Sequence, residues 1–105
     1  MYMTVKGNIV EFEWDPANID KSYTKHGITP KEAEEVFVSE GAFVVPDIAH
    51  SQKEARYIIL GKTASGVRLF VVFTVRANTI RVISARKMHT KEVQKYEKAQ
   101  KNSKI

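Results

Sequence analysis

The sequence predicts an α+β domain in which a mostly antiparallel, twisted sheet carries two N-terminal helices on one face and is followed by a C-terminal helix. Three observations favour this fold. In the predicted strand 9–14, residues 10–14 alternate between apolar and acidic side chains, the pattern of a half-buried strand. Two short segments with clear helix start and stop signals follow at once. Apolar runs separated by turn residues then give the order β-α-α-β-β-β-β-α.

The two N-terminal helices are defined by their end residues. Asp15 is the predicted N-cap of the first helix, with a proline at the first helical position and Gly27 closing the helix. Thr29 is the predicted N-cap of the second helix, and Glu32 completes a capping box. This second helix is expected to end at residues 39–41. Both helices therefore follow the first strand directly, back to back.

The remaining strands are predicted from apolar runs between turn residues. Residues 68–75 are apolar on both faces, as in a central strand. Gly61 is expected to end the strand before it, and Asn78 to supply the positive φ of the next tight turn. The predicted strands are 42–45, 55–60, 68–75 and 79–86, with a polar loop at 48–53 and turns at 64–66 and 77–78.

The last predicted helix, residues 90–101, has only a thin apolar stripe, so we expect it to be held weakly unless it docks. Residues 102–105 are expected to fray. A chain of 105 residues is expected to form one domain over residues 1–105. No run of about 20 apolar residues is present, and the N-terminus does not resemble a secretory signal, so a cytoplasmic location is expected.

Charge is divided unevenly along the chain. Residues 1–55 carry 5 Lys/Arg and 10 Asp/Glu, whereas residues 56–105 carry 12 Lys/Arg and 2 Asp/Glu. A polarised chain of this kind presents a basic surface, and nucleic acid is the commonest partner of such a surface. A basic tail that only promotes solubility is the alternative. The absence of cysteine excludes disulfides and thiolate catalysis.

Arginine is the side chain best suited to holding a phosphate, because its planar fork grips two oxygens and keeps its charge. Arg68 and Arg86 lie at predicted strand ends and are expected to converge on one edge of the sheet. The alternative is that strand arginines are solvated or pair with glutamates such as Glu54. Four arginines lie on three consecutive predicted strands: Arg56, Arg68, Arg81 and Arg86.

Several side chains are candidates for proton transfer. His50 lies in the polar loop, where it either reaches the sheet edge or bonds nearby backbone. Glu54 precedes Arg56 by two residues and so shares its strand face, which suits either a general base oriented by Arg56 or a plain ion pair. The full set of candidates is His26, His50, His89, Glu54, Lys87 and Tyr96.

Two aromatic residues and one helix end have simpler structural interpretations. Trp14 is expected to pack in the core beside the first helix, with stacking on a nucleic-acid base as the alternative. Tyr96 is expected to lay its ring on the sheet, with its hydroxyl near Arg86. Lys25 and His26 suit the negative end of a helix dipole, so capping competes with a binding role there.

A series of short motifs resembles the BrnT toxin family, and the likeness runs from about residue 12 to residue 97. No single string is diagnostic, but together their order and spacing are a strong signal. The motifs are Phe12-Glu13-Trp14-Asp15, Lys25-His26-Gly27-Ile28, Glu32-Ala33 leading to Val36-Phe37, Asp47 with His50-Ser51, Glu54 and Arg56, Gly61, Val71-Val72, Arg81, Ile83-Ser84-Ala85-Arg86, and Glu92 with Tyr96.

The resemblance implies a RelE-like fold and the toxin of a type II toxin–antitoxin system. Such a toxin cuts RNA without a metal or other cofactor and inhibits translation, on or off the ribosome. It implies a ribbon-helix-helix antitoxin, BrnA, which neutralises the toxin in a hetero-oligomer and contacts operator DNA. With this resemblance, the predicted catalytic residues are Arg68, Arg86, Glu54 and His50. The predicted RNA contacts are Arg56, Arg81, Lys25, His26, Lys87 and Tyr96.

The sequence departs from the family pattern at two places. Ser22 stands where the family usually has asparagine, and Val67 separates the hairpin glycine from Arg68. A one-residue shift moves a strand side chain to the opposite face. The string Gly66-Val67-Arg68-Leu69 is nonetheless similar to a pattern of RelE toxins in which the arginine holds the scissile phosphate, so Arg68 is kept as a candidate.

Two other functions compete with RNA cleavage. One is a non-catalytic toxin on the same fold that occludes its target, as the related ParE toxins do with gyrase. The other is a co-repressor that acts only through a DNA-binding partner. Occlusion predicts graded losses of affinity from single substitutions, whereas catalysis predicts near-complete loss of toxicity from Arg68→Ala or Arg86→Ala with the fold intact.

Overall fold

A six-stranded sheet with helices on both faces makes up the computed structural model, which describes residues 2–5, 8–50 and 53–102. The sheet order is β1-β2-β6-β5-β4-β3. The elements are β1 (Tyr2–Val5), β2 (Asn8–Trp14), α1 (Pro16–His26), α2 (Pro30–Val36), β3 (Phe43–Pro46), a 3-10 helix (Ile48–His50), β4 (Tyr57–Lys62), β5 (Arg68–Arg76), β6 (Thr79–Lys87) and α3 (Thr90–Asn102).

The sheet is mixed rather than uniformly antiparallel. Strands β2 and β6 pair in parallel, and the other neighbouring strands pair antiparallel. The predicted order of helices and strands agrees with the structure from β2 onwards. Strand β1 was not predicted, because its four residues have no alternating pattern and acquire strand geometry by pairing with β2. Of the tail predicted to fray, Asn102 is helical, and residues 103–105 lie outside the described part of the chain.

Both helix starts and the end of α1 form as the sequence predicts, whereas α2 ends at Val36, before the predicted end at residues 39–41. The Oδ1 atom of Asp15 accepts a hydrogen bond from the backbone N–H of Ala17 at 2.8 Å. Gly27 follows α1 with a φ of 69°, the left-handed conformation that glycine adopts at low cost. Thr29 and Glu32 form the capping box, with bonds of 3.2 and 3.0 Å between each side chain and the other residue's backbone N–H. Local sequence alone therefore sets both helix starts.

The hydrophobic core lies between the sheet and α2, with Ile28 from the segment between α1 and α2. Phe37, directly after α2, makes edge-to-face contacts with Phe12 at 5.2 Å and Phe73 at 4.9 Å between ring centroids. The buried cluster consists of Phe12, Ile28, Ala33, Val36, Phe37, Ile59, Leu69, Val71, Phe73, Ile80, Val82 and Ala85. These residues leave the opposite face of the sheet for α3 and for polar groups.

Two predictions about a glycine and a turn were wrong. Gly61 lies inside β4 instead of ending it. A Cβ there would sit 2.7 Å from Ser39 Oγ and 2.8 Å from Val36 Cγ1, so only glycine lets the segment after α2 approach the strand. In the β5–β6 turn the positive φ, 53°, belongs to Ala77 and not to Asn78.

Helix α1 covers the edge of β6 beyond the point where β2 ends. Strand β2 pairs with β6 only as far as Val82, so the backbone that follows needs another partner. Ser22 is buried in α1, and its Oγ atom accepts a hydrogen bond from the backbone N–H of Ala85 at 3.3 Å. The serine at this position thus anchors the helix to the sheet edge.

Helix α3 docks on the sheet face opposite α1 and α2. The buried ring of Tyr96 stacks against Phe43 with centroids 6.1 Å apart, and Gln100 donates a hydrogen bond to the carbonyl oxygen of Gly41. Ion pairs to β5 and β6, described below, add to this thin apolar contact. No helix in the described ranges is long and apolar enough to cross a membrane.

Candidate functional site

Arginines of β5 and β6 gather on the sheet face where α3 docks. In β5, alternation places Arg68, Phe70, Thr74 and Arg76 on this face, because Leu69, Val71 and Phe73 point into the core. Arg81 of β6 pairs opposite Thr74 and shares its face. Arg86 of β6 likewise pairs opposite Phe70. The face is therefore strongly cationic at several points along its length.

A β-bulge puts Arg81 and Arg86 on the same face. They are five positions apart, so strict alternation would send them to opposite faces. The register of β6 shifts opposite the step from Val72 to Phe73, which leaves Ile83 as an extra residue. Ala85 consequently points into the core.

A cleft of about 770 Å³ opens on this face at the end of the sheet near the β5–β6 turn. We call it the basic cleft. Its floor is Thr74 of β5, one wall is formed by β6 and the start of α1, and the other by Ala49 and residues 53–56. Its lining residues, which include four cations and one carboxylate, are Asn18, Ala49, Lys53, Glu54, Arg56, Thr74, Arg76, Arg81 and Ile83.

Glu54 is held in the basic cleft by Arg76. The Nε atom of Arg76 donates to Oε2 of Glu54 at 2.6 Å, and its Nη2 atom donates to Oε1 at 3.2 Å. These hydrogen bonds, helped by the charges of Arg76, Arg81 and Arg56, hold the pKa of Glu54 below its usual value. The carboxylate is therefore ionised at neutral pH, with both oxygens fixed toward the guanidinium.

The partner of Glu54 differs from the one expected. Arg56 lines the basic cleft and contributes charge, but the two hydrogen bonds to Glu54 come from Arg76, which is not among the residues predicted from the sequence. The sequence does contain a signal for Arg76. It lies eight residues after Arg68, so alternation along the strand places both side chains on the same face. The grip on Glu54 arises only when residues 53–56 fold against β5. On the other wall, Arg81 Nη2 lies 3.9 Å from Asp15 Oδ2.

Arg86 is held at the other end of the face by α3. Its Nη1 and Nη2 atoms donate to the two carboxylate oxygens of Glu92 at 2.7 and 2.8 Å, and its guanidinium lies 3.8 Å from the ring centroid of Phe70. The hydrogen bond to Arg86 is the main reason why the pKa of Glu92 is lowered. Arg68 forms a more exposed ion pair with Glu97 at 2.6 Å.

The predicted catalytic residues thus form two groups on one face. Arg86 pairs opposite Phe70, four residues from Thr74 on the cleft floor, a distance of about 13 Å along the strand. One phosphodiester cannot span this distance, so Arg68 and Arg86 do not meet Glu54 at a single phosphate. Tyr96 is buried beside Phe43, and its hydroxyl pKa is raised by burial and by Glu97, with Arg68 acting oppositely.

The other predicted residues lie at different distances from the basic cleft. Lys25 and His26 are exposed in the last turn of α1, about 10 Å along the helix from Asn18. Lys87 is exposed at the end of β6. His50 closes the 3-10 helix, directly after Ala49 of the cleft lining, and its side chain lies outside what the structure describes, as does Ser51.

Trp14 packs against the core, as predicted, and its main polar contact is with α2. Its Nε1 atom donates to Oε2 of Glu34 at 3.1 Å. Glu34 is 2% exposed, and its other carboxylate oxygen has no hydrogen-bond partner among the described residues. Burial raises the pKa of Glu34, and the bond from Trp14 partly opposes this shift.

Glu34 is expected to make the fold less stable as the pH rises. Its folded-state pKa lies above 4.5, so the native state binds more protons than the unfolded state, and the free energy of unfolding falls as pH rises from 4.5 through the raised pKa. Glu34→Gln should flatten this fall and increase the free energy of unfolding at pH 7.5 by about 1 kcal/mol. Urea unfolding at pH 5 and 7.5 measures both effects, with exposed Glu40→Gln as control. A larger gain at pH 5 than at pH 7.5 would contradict this assignment.

A solved structure shares the fold. The crystal structure of the Brucella abortus ribonuclease toxin, BrnT, superposes on this chain with a TM-score of 0.61 and 24% sequence identity. The match covers 77% of this chain and 99% of the Brucella chain. At this identity the likeness concerns the fold. A comparison with curated proteins gives no match.

The sequence itself carries the family assignment. Residues 14–92 match the family described as the ribonuclease toxin BrnT of type II toxin–antitoxin systems. This stretch covers the whole lining of the basic cleft and extends through Arg86 to Glu92. The chain therefore belongs to the BrnT family of ribonuclease toxins of type II toxin–antitoxin systems.

Proposed function

We propose that this toxin is a metal-independent endoribonuclease that inhibits translation by cutting RNA held in the basic cleft. The observation that carries the proposal is the set of four cations, Lys53 among them, around the carboxylate of Glu54 in one cleft. The excess of positive charge suits a phosphodiester, and the carboxylate supplies a proton acceptor beside it. The order of helices and the mixed sheet support a RelE-like origin for this arrangement.

In this proposal the cations of the basic cleft stabilise the transition state of RNA cleavage. Negative charge builds on the non-bridging phosphate oxygens as the 2′-oxygen attacks phosphorus, and guanidinium groups fixed in a cleft stabilise this charge. Arg76 and Arg81 face the cleft from neighbouring strands, and Arg56 and Lys53 face them from the opposite wall. A phosphate entering between the walls competes with Glu54 for the hydrogen bonds of Arg76.

Glu54 is the proposed general base. Its carboxylate takes the proton of the ribose 2′-hydroxyl, the 2′-oxygen bonds to phosphorus, and the bond from phosphorus to the 5′-oxygen breaks. The departing 5′-oxygen receives a proton, for which we propose His50 on the basis of its position after Ala49. The products are a 2′,3′-cyclic phosphate and a 5′-hydroxyl end.

The second group of arginines extends the RNA path. Arg68 and Arg86 lie on the same face about 13 Å beyond the cleft floor, with Lys87 nearby at the end of β6. This spacing suits the phosphates of neighbouring nucleotides rather than the scissile one. Lys25 and His26 would contact RNA beyond the α1 wall of the cleft.

The toxin would be neutralised by a BrnA-like ribbon-helix-helix antitoxin in the cytoplasm. Membership of a type II toxin family supports an antitoxin partner. A ribbon-helix-helix partner would bind operator DNA on behalf of the hetero-oligomer. Co-expression of the neighbouring small gene should relieve growth arrest caused by the toxin.

Purified toxin should shorten single-stranded RNA in buffer that contains EDTA. The fragments should carry 2′,3′-cyclic phosphate and 5′-hydroxyl ends, which mass spectrometry and resistance to 5′-phosphate-dependent exonuclease can establish. Circular dichroism of the same sample checks the fold. Cleavage restored only by added Mg²⁺ would contradict metal independence, and intact RNA bound by folded protein would favour occlusion of the target.

A further inference from the structure

We infer that the basic cleft holds one whole nucleotide of the RNA and that Thr74 and Asn18 recognise its base. The inference rests on the proposed function for the identity of the ligand as RNA. It assigns base selection to two side chains that take no part in the proposed proton transfers. Three features of the cleft support it.

The first feature is the unsatisfied hydroxyl of Thr74. The residue is 2% exposed, lies on the cleft floor in the central strand β5, and its Oγ1 atom has no hydrogen-bond partner among the described residues. Buried polar atoms without partners are rare because each lowers the stability of the fold. Valine would fill the same space in a strand without this penalty. The inferred ligand reaches this enclosed hydroxyl once the side chain turns toward the cleft, which would explain why threonine is tolerated there.

The second feature is the order of groups along the cleft. Arg76 lies near the β5–β6 turn, Thr74 and Arg81 come next as a cross-strand pair, and Ile83 follows two residues further along β6. Successive residues on one strand face are about 6.8 Å apart. A phosphate held by the arginines would therefore direct its own sugar and base toward Thr74 and Ile83.

The third feature is the chemistry of the cleft beyond the arginines. Asn18 of α1 and Ile83 of β6 line this end. The amide of Asn18 offers both a donor and an acceptor, as a base edge does, and the side chain of Ile83 offers an apolar surface for a base. No aromatic ring occurs among the described residues of the lining, so we assign the distinction between bases to hydrogen bonds from Asn18 and Thr74.

The test is the binding of the four nucleoside 3′-monophosphates, with inorganic phosphate as reference, measured by calorimetry on the full chain. The wild type should prefer one base by at least about 5-fold. Thr74→Val should abolish most of that preference while leaving inorganic phosphate binding unchanged, and its melting temperature should rise by about 4 °C because a buried unpaired hydroxyl is removed. Asn18→Ala should also lower the preference. Thr24→Val, on the exposed side of α1, is the control and should behave like the wild type.

Two results would overturn the inference. One is equal binding of all four nucleotides by the wild type, and the other is a base preference unchanged in both Thr74→Val and Asn18→Ala. If the protein cuts RNA but shows no base preference in nucleotide binding, the inference is wrong and the ribonuclease proposal is unaffected. Base-selective binding that is lost in Thr74→Val, in a protein that does not cut RNA, would support the inference and refute catalysis.

Discussion

Replacing Glu54 with glutamine is expected to slow RNA cleavage by at least about 100-fold, because a positioned general base contributes a factor of that order or more. Glutamine keeps the size of the side chain and one oxygen for Arg76, but it cannot take a proton from the 2′-hydroxyl. The pair with Arg76 is exposed, with the arginine side chain 57% accessible, so its loss should hardly change stability. The measurement is the single-turnover cleavage rate of a short RNA, with the melting temperature recorded beside it.

Two comparisons make the Glu54 result decisive. Glu40→Gln removes an exposed carboxylate in the turn after α2 and should leave cleavage at the wild-type rate. Arg76→Ala frees Glu54 from its grip and removes a phosphate ligand, so both binding and cleavage should weaken. A folded Glu54→Gln variant that retains most of the wild-type rate would place the general base elsewhere.

Replacing Arg86 with alanine is expected to destabilise the protein by about 2 kcal/mol and to release α3 from the sheet. The substitution removes two hydrogen bonds to Glu92 and the contact with Phe70, and it leaves the half-buried Glu92 without its guanidinium partner. The pKa of Glu92 is lowered in the folded state, so the pair stabilises the fold above pH 4.5 and its contribution is lost as pH falls through the folded-state pKa. Urea unfolding at pH 7 and at pH 3.5 should show a difference between wild type and variant that shrinks in acid.

Arg68 provides the matched comparison for Arg86. Its pair with Glu97 has 42% and 41% exposed side chains, so Arg68→Ala should lower stability by no more than about 1 kcal/mol. Both substitutions should weaken binding of RNA longer than one nucleotide, because both remove cations from the same face. If Arg86→Ala left stability unchanged while abolishing toxicity, Arg86 would be catalytic rather than an anchor for α3.

Local signals explain what could be predicted from the sequence. The caps at Asp15 and Thr29 act within one turn of the chain, so both helices begin where the pattern indicates. The strands from β2 onward also follow their apolar runs. The resemblance to the BrnT family rests on the same kind of information, because short motifs and their order can be read from the sequence without knowing which strands pair.

Contacts between distant segments explain what could not be predicted. The need for glycine at position 61 comes from Val36 and Ser39, which approach β4 from the end of α2. The pairing of Glu54 with Arg76 depends on how residues 53–56 fold onto β5. The separation of the arginines into two groups likewise follows from cross-strand register, which no single run of residues reveals.

Because Ile83 is an extra residue in β6, the number of residues between Arg81 and Arg86 cannot change without changing the face on which Arg86 lies. Exchanging the side chain at position 83 keeps both arginines on the same face. Deleting the residue would instead reverse the face to which each following residue of β6 points. Arg86 would then face the apolar interior and Ala85 the solvent. Among natural relatives, insertions and deletions between these two arginines should accordingly be much rarer than amino-acid substitutions there.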